Sequence, residues 1–508
     1  MTQEQTIPEF FTGKNIFITG GSGFMGKVLI EKLLYSCSEL SKIYLLLRDK
    51  KGVRSEERLQ QMYSSPCFDR LRNEKPEIFE RKVACVSGDV MEIGLGLSEE
   101  HRAVLIDNVN IIFHVAASVR FDDPLQYAAK LNLRGTREVV ELAKAIKNLS
   151  VMVHVSTSYS NTNRELVEEV MYPPHADWRE ALEICDTVDE HTLRVLTPKY
   201  IGEMPNTYTF TKQLAEHVVY EQKGVLPATI IRPSIVISSA TEPVPGWIEN
   251  YNGPVGLLVA SGKGIMRSLY TNPDLMADYI PVDVAIQTII TAAWHRGTKK
   301  LKPTDDIPIY NCCSGSLFKI TMNEVVEMGR SLAKDMPLDG MLWSVGGNLT
   351  TSKTWHYLKV LILHLLPAVF VDTLLRILGR KPMLVKVQRR IYIANLALQY
   401  YLIKQWTFVN SNLVALRSFL KETDRAVFYF DIEAFDHRKF FYDSLIGAKK
   451  YLLKENLDDL PKARAHSRRL AILDFVVKTA FYCYCANWVM KIEVVNSAIN
   501  SVINCIFY

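Results

Sequence analysis

Residues 14–34 read "KNIFITGGSGFMGKVLIEKLL": a run of β-branched and aromatic residues, then Gly20, Gly23 and Gly26, then an apolar helical pattern with no gap. Few folds accommodate that order. The first glycine permits a tight turn out of a strand. The second lets the backbone approach a pyrophosphate, and the third lets the following helix pack closely on the sheet. The helix N-terminus then turns its positive end toward the phosphates. The stretch reads as the opening unit of a dinucleotide-binding sheet. Phe24 and Met25, between the last two glycines, belong to the cofactor-contacting positions.

The chain continues in the same texture to about residue 310. "KIYLLLR" (42–48), "KVACVSGDV" (82–90), "VNIIFHVAA" (109–117), "LSVMVHVSTS" (149–158) and "ATIIRPSIVI" (228–237) are short apolar runs rich in β-branched residues. Helical stretches such as "RGTREVVELAKAIKNL" lie between several of them. Continuous buried strands with crossover helices argue for a parallel sheet covered on both faces. The expected class is α/β, a Rossmann-type doubly wound parallel sheet, followed by a smaller, mainly helical C-terminal domain.

Composition excludes some classes. Of the 508 residues, 48% are apolar, enough for a sizeable core, and the net charge is only +5. Nucleic-acid binding wants a concentrated basic stripe, so no such partner is expected. The nine cysteines are scattered without a CxxC pair, which fits reduced thiols facing the cytosol. No metal site is expected. The polar, acidic start "MTQEQTIPEFF" lacks the pattern of a signal peptide.

The end of the second strand selects the cofactor. An acid there holds ribose hydroxyls, whereas arginine offers a planar fork for a 2′-phosphate. This chain has Arg48, then Asp49, Lys50, Lys51 and Arg54, which favours NADPH. Asp49 is the objection, as a displaced ribose acid. Asp89 and Val90, in the "GDV" that closes the third strand, are read as adenine contacts or as a turn.

"YTFTK" (208–212) sets Tyr208 and Lys212 four residues apart, one above the other on a helix face. A nearby ammonium favours the phenolate and is expected to lower the tyrosine's pKa, making it a better proton donor near neutrality. Taken alone, such a pair is an ordinary helix face. Its meaning comes from the glycine turn and from the "VSTSYS" strand end.

With these motifs together the chain resembles the extended short-chain dehydrogenase/reductases, and among them the fatty acyl-CoA reductases. "TGGSGFMGKVLIEKLL", "YLLLRDKKG", "NVNIIFHVAASVRFD", "NLRGTREVVELA", "VHVSTSYSN", "PNTYTFTKQLAEH", "IIRPSIV" and "EPVPGWIENYNGPVGLL" follow that pattern in order. "QWTFVNSNLVALRSFL" and "FYFDIEAFDHRKFFYDSLIGAKKYLLKE" resemble the family's small helical domain, with His437 where tryptophan is usual. The resemblance implies Tyr208 as proton donor and Lys212 as the group that tunes it and holds the nicotinamide ribose. It implies Thr157 or Ser158 as the hydroxyl on the oxyanion, with Ser156 as a further candidate. Ala116, Ala117, Pro233 and Ser234 match positions that line the cofactor. The implied reaction is a four-electron reduction of long-chain fatty acyl-CoA by two NADPH, through an aldehyde, to a primary alcohol for wax or ether lipids. Lys263 and Arg267 are candidates for coenzyme A phosphates.

The expected divisions are 12–345 (reductase), 356–455 (helical domain) and 468–508 (apolar C-terminal segment). "HYLKVLILHLLPAVFVDTLLRILGRK" (356–381) reads either as a buried helix or as one lying in the membrane interface. "RLAILDFVVKTAFYCYCANWVM" (469–490) is long enough to anchor the chain but carries Asp474 and Lys478. Association with membrane lipid, at the endoplasmic reticulum or at the peroxisome, is expected, with the catalytic domain cytosolic. A homo-oligomer is left open. Other readings are a reductase of sterols or other carbonyls, or a lipid-binding protein without turnover.

Overall fold

The computed structural model describes residues 5–252, 254–276, 278–314, 320–429, 435–491, 497 and 501–502. Gly253 of the "EPVPGWIENYNGPVGLL" stretch, residues 430–434 of the C-terminal motif and most of 492–508 lie outside it.

Seven strands form one sheet: β1 (Asn15–Thr19), β2 (Lys42–Leu47), β3 (Val83–Ser87), β4 (Ile111–His114), β5 (Val151–Val155), β6 (Ala228–Pro233) and β7 (Ile309–Cys312). The order is β3-β2-β1-β4-β5-β6-β7, and every pairing is parallel. Chain order reverses between β1 and β4, which opens the crevice where this class of sheet binds ligands. β7 is a four-residue strand with Asn311 inside it, too short and too polar to stand out in the sequence.

Three helices position the site. α1 (Phe24–Ser36) follows the glycine turn. Gly20 has φ +76°, and a Cβ there would sit 2.5 Å from the Ala116 nitrogen. A Cβ on Gly26 would sit 2.3 Å from the Gly20 oxygen, so α1 meets the turn only through glycine. α2 (Gly135–Ala145) packs behind β4. α3 (Thr207–Tyr220) starts at the N-cap Asn206, whose side chain accepts from the Thr209 amide. Its inner face is buried through Phe210, Lys212, Leu214, Glu216 and Val219.

The chain divides into two compact units that are discontinuous in sequence. The first comprises Met1–Gly253, Asn272–Val325 and Ala394–Leu453 and holds the sheet. Within it a strand at Thr407–Phe408 pairs in parallel with Leu166–Val167, and Asn311 Nδ2 donates to the carbonyls of Val167 (3.0 Å) and Val409 (2.8 Å). The end of α4 (Leu384–Ile403) and all of α5 (Ser411–Ser418) belong to this unit.

The second unit comprises Pro254–Thr271, Val326–Ile393 and Lys454–Tyr508. Two of its helices, Lys353–Ile377 (25 residues) and Leu457–Met490 (34 residues), are long and apolar enough to cross a membrane. The first is not a buried core helix: Leu366, Phe370, Leu374 and Ile377 are all exposed. In the second, Asp474 accepts from Lys478 Nζ (2.6 Å), Trp343 Nε1 (2.5 Å) and Arg267 Nη2 (3.4 Å). Lys263 Nζ donates to Glu455 (2.7 Å). Both cations considered for coenzyme A phosphates are thus already ion-paired.

Candidate active site

The C-terminal ends of β1, β2, β3, β4, β5 and β6 deliver the candidate residues to one edge of the sheet. At β1, the glycine turn presses on the β4 end: Ala116 N donates to Thr19 Oγ1 at 3.4 Å. Gly23 caps α1 without a side chain, leaving the first-turn amides of Phe24, Met25 and Gly26 uncapped by any side chain. The Phe24 ring itself stacks on Trp247 at 5.0 Å. A cradle that any Cβ would fill, with uncapped helix amides above it, fits a pyrophosphate. Ala117 is half-buried beside it.

At β2, Arg48 Nη1 donates to Asp89 Oδ2 at 2.8 Å, with 41% of the Arg48 side chain exposed. The hydrogen bond to Asp89 is the main cause that raises Arg48 above its ordinary value. Asp49 is turned away, its Oδ1 accepting the Ser55 amide at 2.9 Å. Asp89 Oδ1 accepts the Met91 amide at 3.0 Å, so Asp89 is both turn-former and partner of Arg48. Val90 is buried, with its side chain against Gly135.

The candidate proton-transfer pair lies between β5 and α3. Lys212 is buried and its Nζ donates to the Val155 carbonyl at 2.7 Å. Burial disfavours its charged form and pulls it down to about 8, against the nearby Glu216 carboxylate. Burial disfavours the phenolate of Tyr208 and pushes it up to about 12, while a hydrogen bond with the Thr157 side chain acts the other way. The expected depression of Tyr208 is therefore not found. The physical reason is that Lys212 directs its ammonium to a strand carbonyl, so that desolvation sets the direction of the shift on the phenol.

The two hydroxyls left open by sequence have different partners. Thr157 contacts Tyr208, accepts the Tyr159 amide (3.2 Å) and donates to the Pro233 carbonyl (3.4 Å). Ser158 is fully buried and donates to the Arg232 carbonyl at 2.7 Å. Ser156 Oγ and Ser234 Oγ, both buried, have no hydrogen-bond partner among the described residues. Ser234 at the end of β6 can thus meet a bound group with a free hydroxyl.

Several supporting residues escaped the sequence reading. One turn beyond Lys212, Glu216 pairs with Arg232 at 2.8 Å, both side chains fully buried, and the guanidinium also donates to the Glu168 and Val170 carbonyls. The i+4 spacing from Lys212 was its only signal. Asn132 Nδ2 donates to Thr211 Oγ1 (3.0 Å) and its Oδ1 accepts the Ser118 amide (2.9 Å), tying α3 to the β4 loop. On β4 and β5, His114 and His154 lie in register, both buried, and burial pulls His114 down to about 3. Burial lowers His154 as well, and the nearby Lys212 charge acts in the same direction on both, so both rings are neutral.

A family model described as male sterility protein matches residues 18–289, and a second with the same description matches 363–455. The fatty acyl-CoA reductase 1 of Xenopus laevis is 41% identical over 465 residues, 92% of this chain and 90% of that one. The Homo sapiens fatty acyl-CoA reductase 1 is 39% identical with the same coverage. The Drosophila melanogaster fatty acyl-CoA reductase wat is 35% identical over 95% of this chain and 92% of its own. Among solved structures, the reductase domain of a nonribosomal peptide synthetase from Mycobacterium tuberculosis aligns at TM-score 0.59 and 17% identity, covering 86% and 91%. The terminal reductase domain of the myxalamid pathway aligns at 0.58 and 17%, covering 86% and 90%. At that identity these two report on the fold.

Proposed function

The chain belongs to the fatty acyl-CoA reductases, and on that premise we propose which of its residues carry the reduction and with which cofactor. It is an oxidoreductase that converts fatty acyl-CoA to fatty alcohol with a nicotinamide cofactor. Bound dihydronicotinamide supplies the hydride, twice to the same carbon.

Each reduction turns a carbonyl oxygen into an alkoxide. Tyr208 donates the proton that quenches it, and a phenol held near 12 is fully protonated for the task at neutral pH. Thr157, beside Tyr208, turns its one hydroxyl proton from the Pro233 carbonyl, a long 3.4 Å contact, to the developing oxyanion. After the first reduction the hemithioacetal loses coenzyme A as the thiol, and the aldehyde takes the second hydride. One proton donor serves both steps because both place charge on the same oxygen. Lys212 keeps a positive charge under the site below about pH 8. The glycine turn, Ala116, Ala117, Pro233 and Ser234 line the cofactor. The single observation that carries this reading is Tyr208 beside Thr157 and one helical turn from the buried Lys212, whose Nζ is anchored on the Val155 carbonyl of β5 at 2.7 Å.

NADPH is our choice of cofactor. Arg48 leaves its guanidinium partly exposed at the end of β2, while the competing acid Asp49 is held by the Ser55 amide. Long-chain acyl esters are the proposed substrates. The two apolar helices of the second unit support association with membrane lipid. We place the protein at the endoplasmic reticulum, with the reductase facing the cytosol. Flotation of the full chain with phospholipid vesicles tests the association; protein left at the bottom of the gradient contradicts it.

The test of the chemistry is incubation with NADPH and a series of acyl-CoA esters, with Tyr208→Phe beside the parent and lipid products identified by mass. The expected result is alcohol from the parent and a loss of about 10²–10⁴-fold in the variant. Parent-level alcohol from the variant removes Tyr208 from the mechanism.

A further inference from the structure

Tyr208 is the second residue of α3, in the turn whose amides have no partner within the helix. Its position therefore depends on the cap in front of it. Asn206 supplies that cap, accepting the Thr209 amide through Oδ1 at 3.0 Å. The other half of the same amide is used as well: Asn206 Nδ2 donates to the hydroxyl of Tyr401 at 2.8 Å. Tyr401 lies near the end of α4, 195 residues further on, in the part of α4 that belongs to the first unit. Its ring meets Phe121 at 5.2 Å, and Phe121 stacks on the Tyr208 ring at 5.9 Å. Tyr159, two residues past Thr157, meets Tyr401 edge-on at 5.3 Å.

One side chain thus reaches the proton donor by two routes. Through its hydroxyl it holds the cap that fixes the first turn of α3. Through its ring it backs Phe121, whose ring stacks on the phenol at 5.9 Å with a 29° tilt. We propose that Tyr401 is a positioning residue for Tyr208. It sets the angle at which the phenol faces the reacting carbonyl, and the wall it forms with Phe121 keeps water from that oxygen. Catalytic geometry is sensitive to displacements of this size. This inference rests on the assignment of Tyr208 as proton donor.

The experiment uses the full chain and four variants: Tyr401→Phe, Asn206→Ser, the pair combined, and Tyr208→Phe. Phenylalanine removes only the hydroxyl. Serine still caps the helix, but its shorter side chain does not carry a donor out to the Tyr401 hydroxyl. Each single variant is expected to lower kcat about fivefold, the worth of one neutral hydrogen bond. KM for NADPH and the melting temperature stay near the parent. The combined variant is no slower than the worse single one, since both remove the same contact. Parent-level kcat in Tyr401→Phe overturns the proposal. So does a multiplicative loss in the pair, or a loss matched by falling melting temperature. If Tyr208→Phe turns over like the parent, the donor assignment itself fails. If Tyr208→Phe is inactive while Tyr401→Phe is not slowed, only the positioning role fails.

Discussion

Burial moves Tyr208 and Lys212 in opposite directions, because one is charged when it loses its proton and the other when it keeps it. Lys212 is brought down to about 8, so its ammonium is present below that pH and lost above it. We expect kcat to fall as pH rises through about 8, and Lys212→Met to be slow at every pH and to lack that arm. A parent profile flat to pH 10 contradicts a role for the charge. Arg48→Ala is expected to raise KM for NADPH and to leave that for NADH nearly unchanged; equal rises count against the 2′-phosphate reading. At this scale much was legible in sequence. Tyr208, Lys212 and the glycines are bound to fixed local spacings, which sequence shows directly. Thr157 and Ser158 were not separable, because their partners are set by how the backbone turns after β5. Neither was the Glu216–Arg232 pair, nor Asn206 with Tyr401, since contacts between remote segments leave no periodic trace. The direction of the Tyr208 shift does not follow from local spacing, because desolvation is a property of the packed site.

Six of the seven strands lie within the apolar runs that mark them, trimmed at their ends. β7 does not stand out because Asn311 breaks its short apolar run. The turn at the start of α1 was legible because only glycine fits it. The start of α5 was not. There Glu169 accepts the amides of Asn412, Leu413 (3.2 Å) and Asn311 (2.9 Å), joining α5 to β7. Burial is the largest cause acting on this carboxyl and lifts it from 4.5 to about 7, against those amides. Its contribution to stability is then fully present below about pH 4.5 and lost as pH rises through about 7. The urea midpoint of the parent should fall over that window relative to Glu169→Gln, in which the dependence flattens. Parallel curves for the two proteins exclude Glu169 as the titrating group.

Across the whole molecule, the reductase unit draws on Ala394–Leu453, far beyond the last strand of its sheet. Those residues supply the strand at Thr407–Phe408, the carbonyl of Val409 held by Asn311, and Tyr401. Chain ending at 345 is therefore expected to yield no soluble, NADPH-binding reductase, whereas chain ending at 455 retains the unit. A fully active 1–345 fragment contradicts this. Linear reading of composition cannot reveal such interleaving, although it did mark the apolar helices of the second unit. In the proposed reaction one site delivers two hydrides to one carbon. The most direct measurement of this is turnover with NADPH carrying deuterium at the transferable C4 position, with products resolved by mass. The expected product is a fatty alcohol with two deuterium atoms on C1. Alcohol carrying a single deuterium, or aldehyde that is never reduced further, contradicts it.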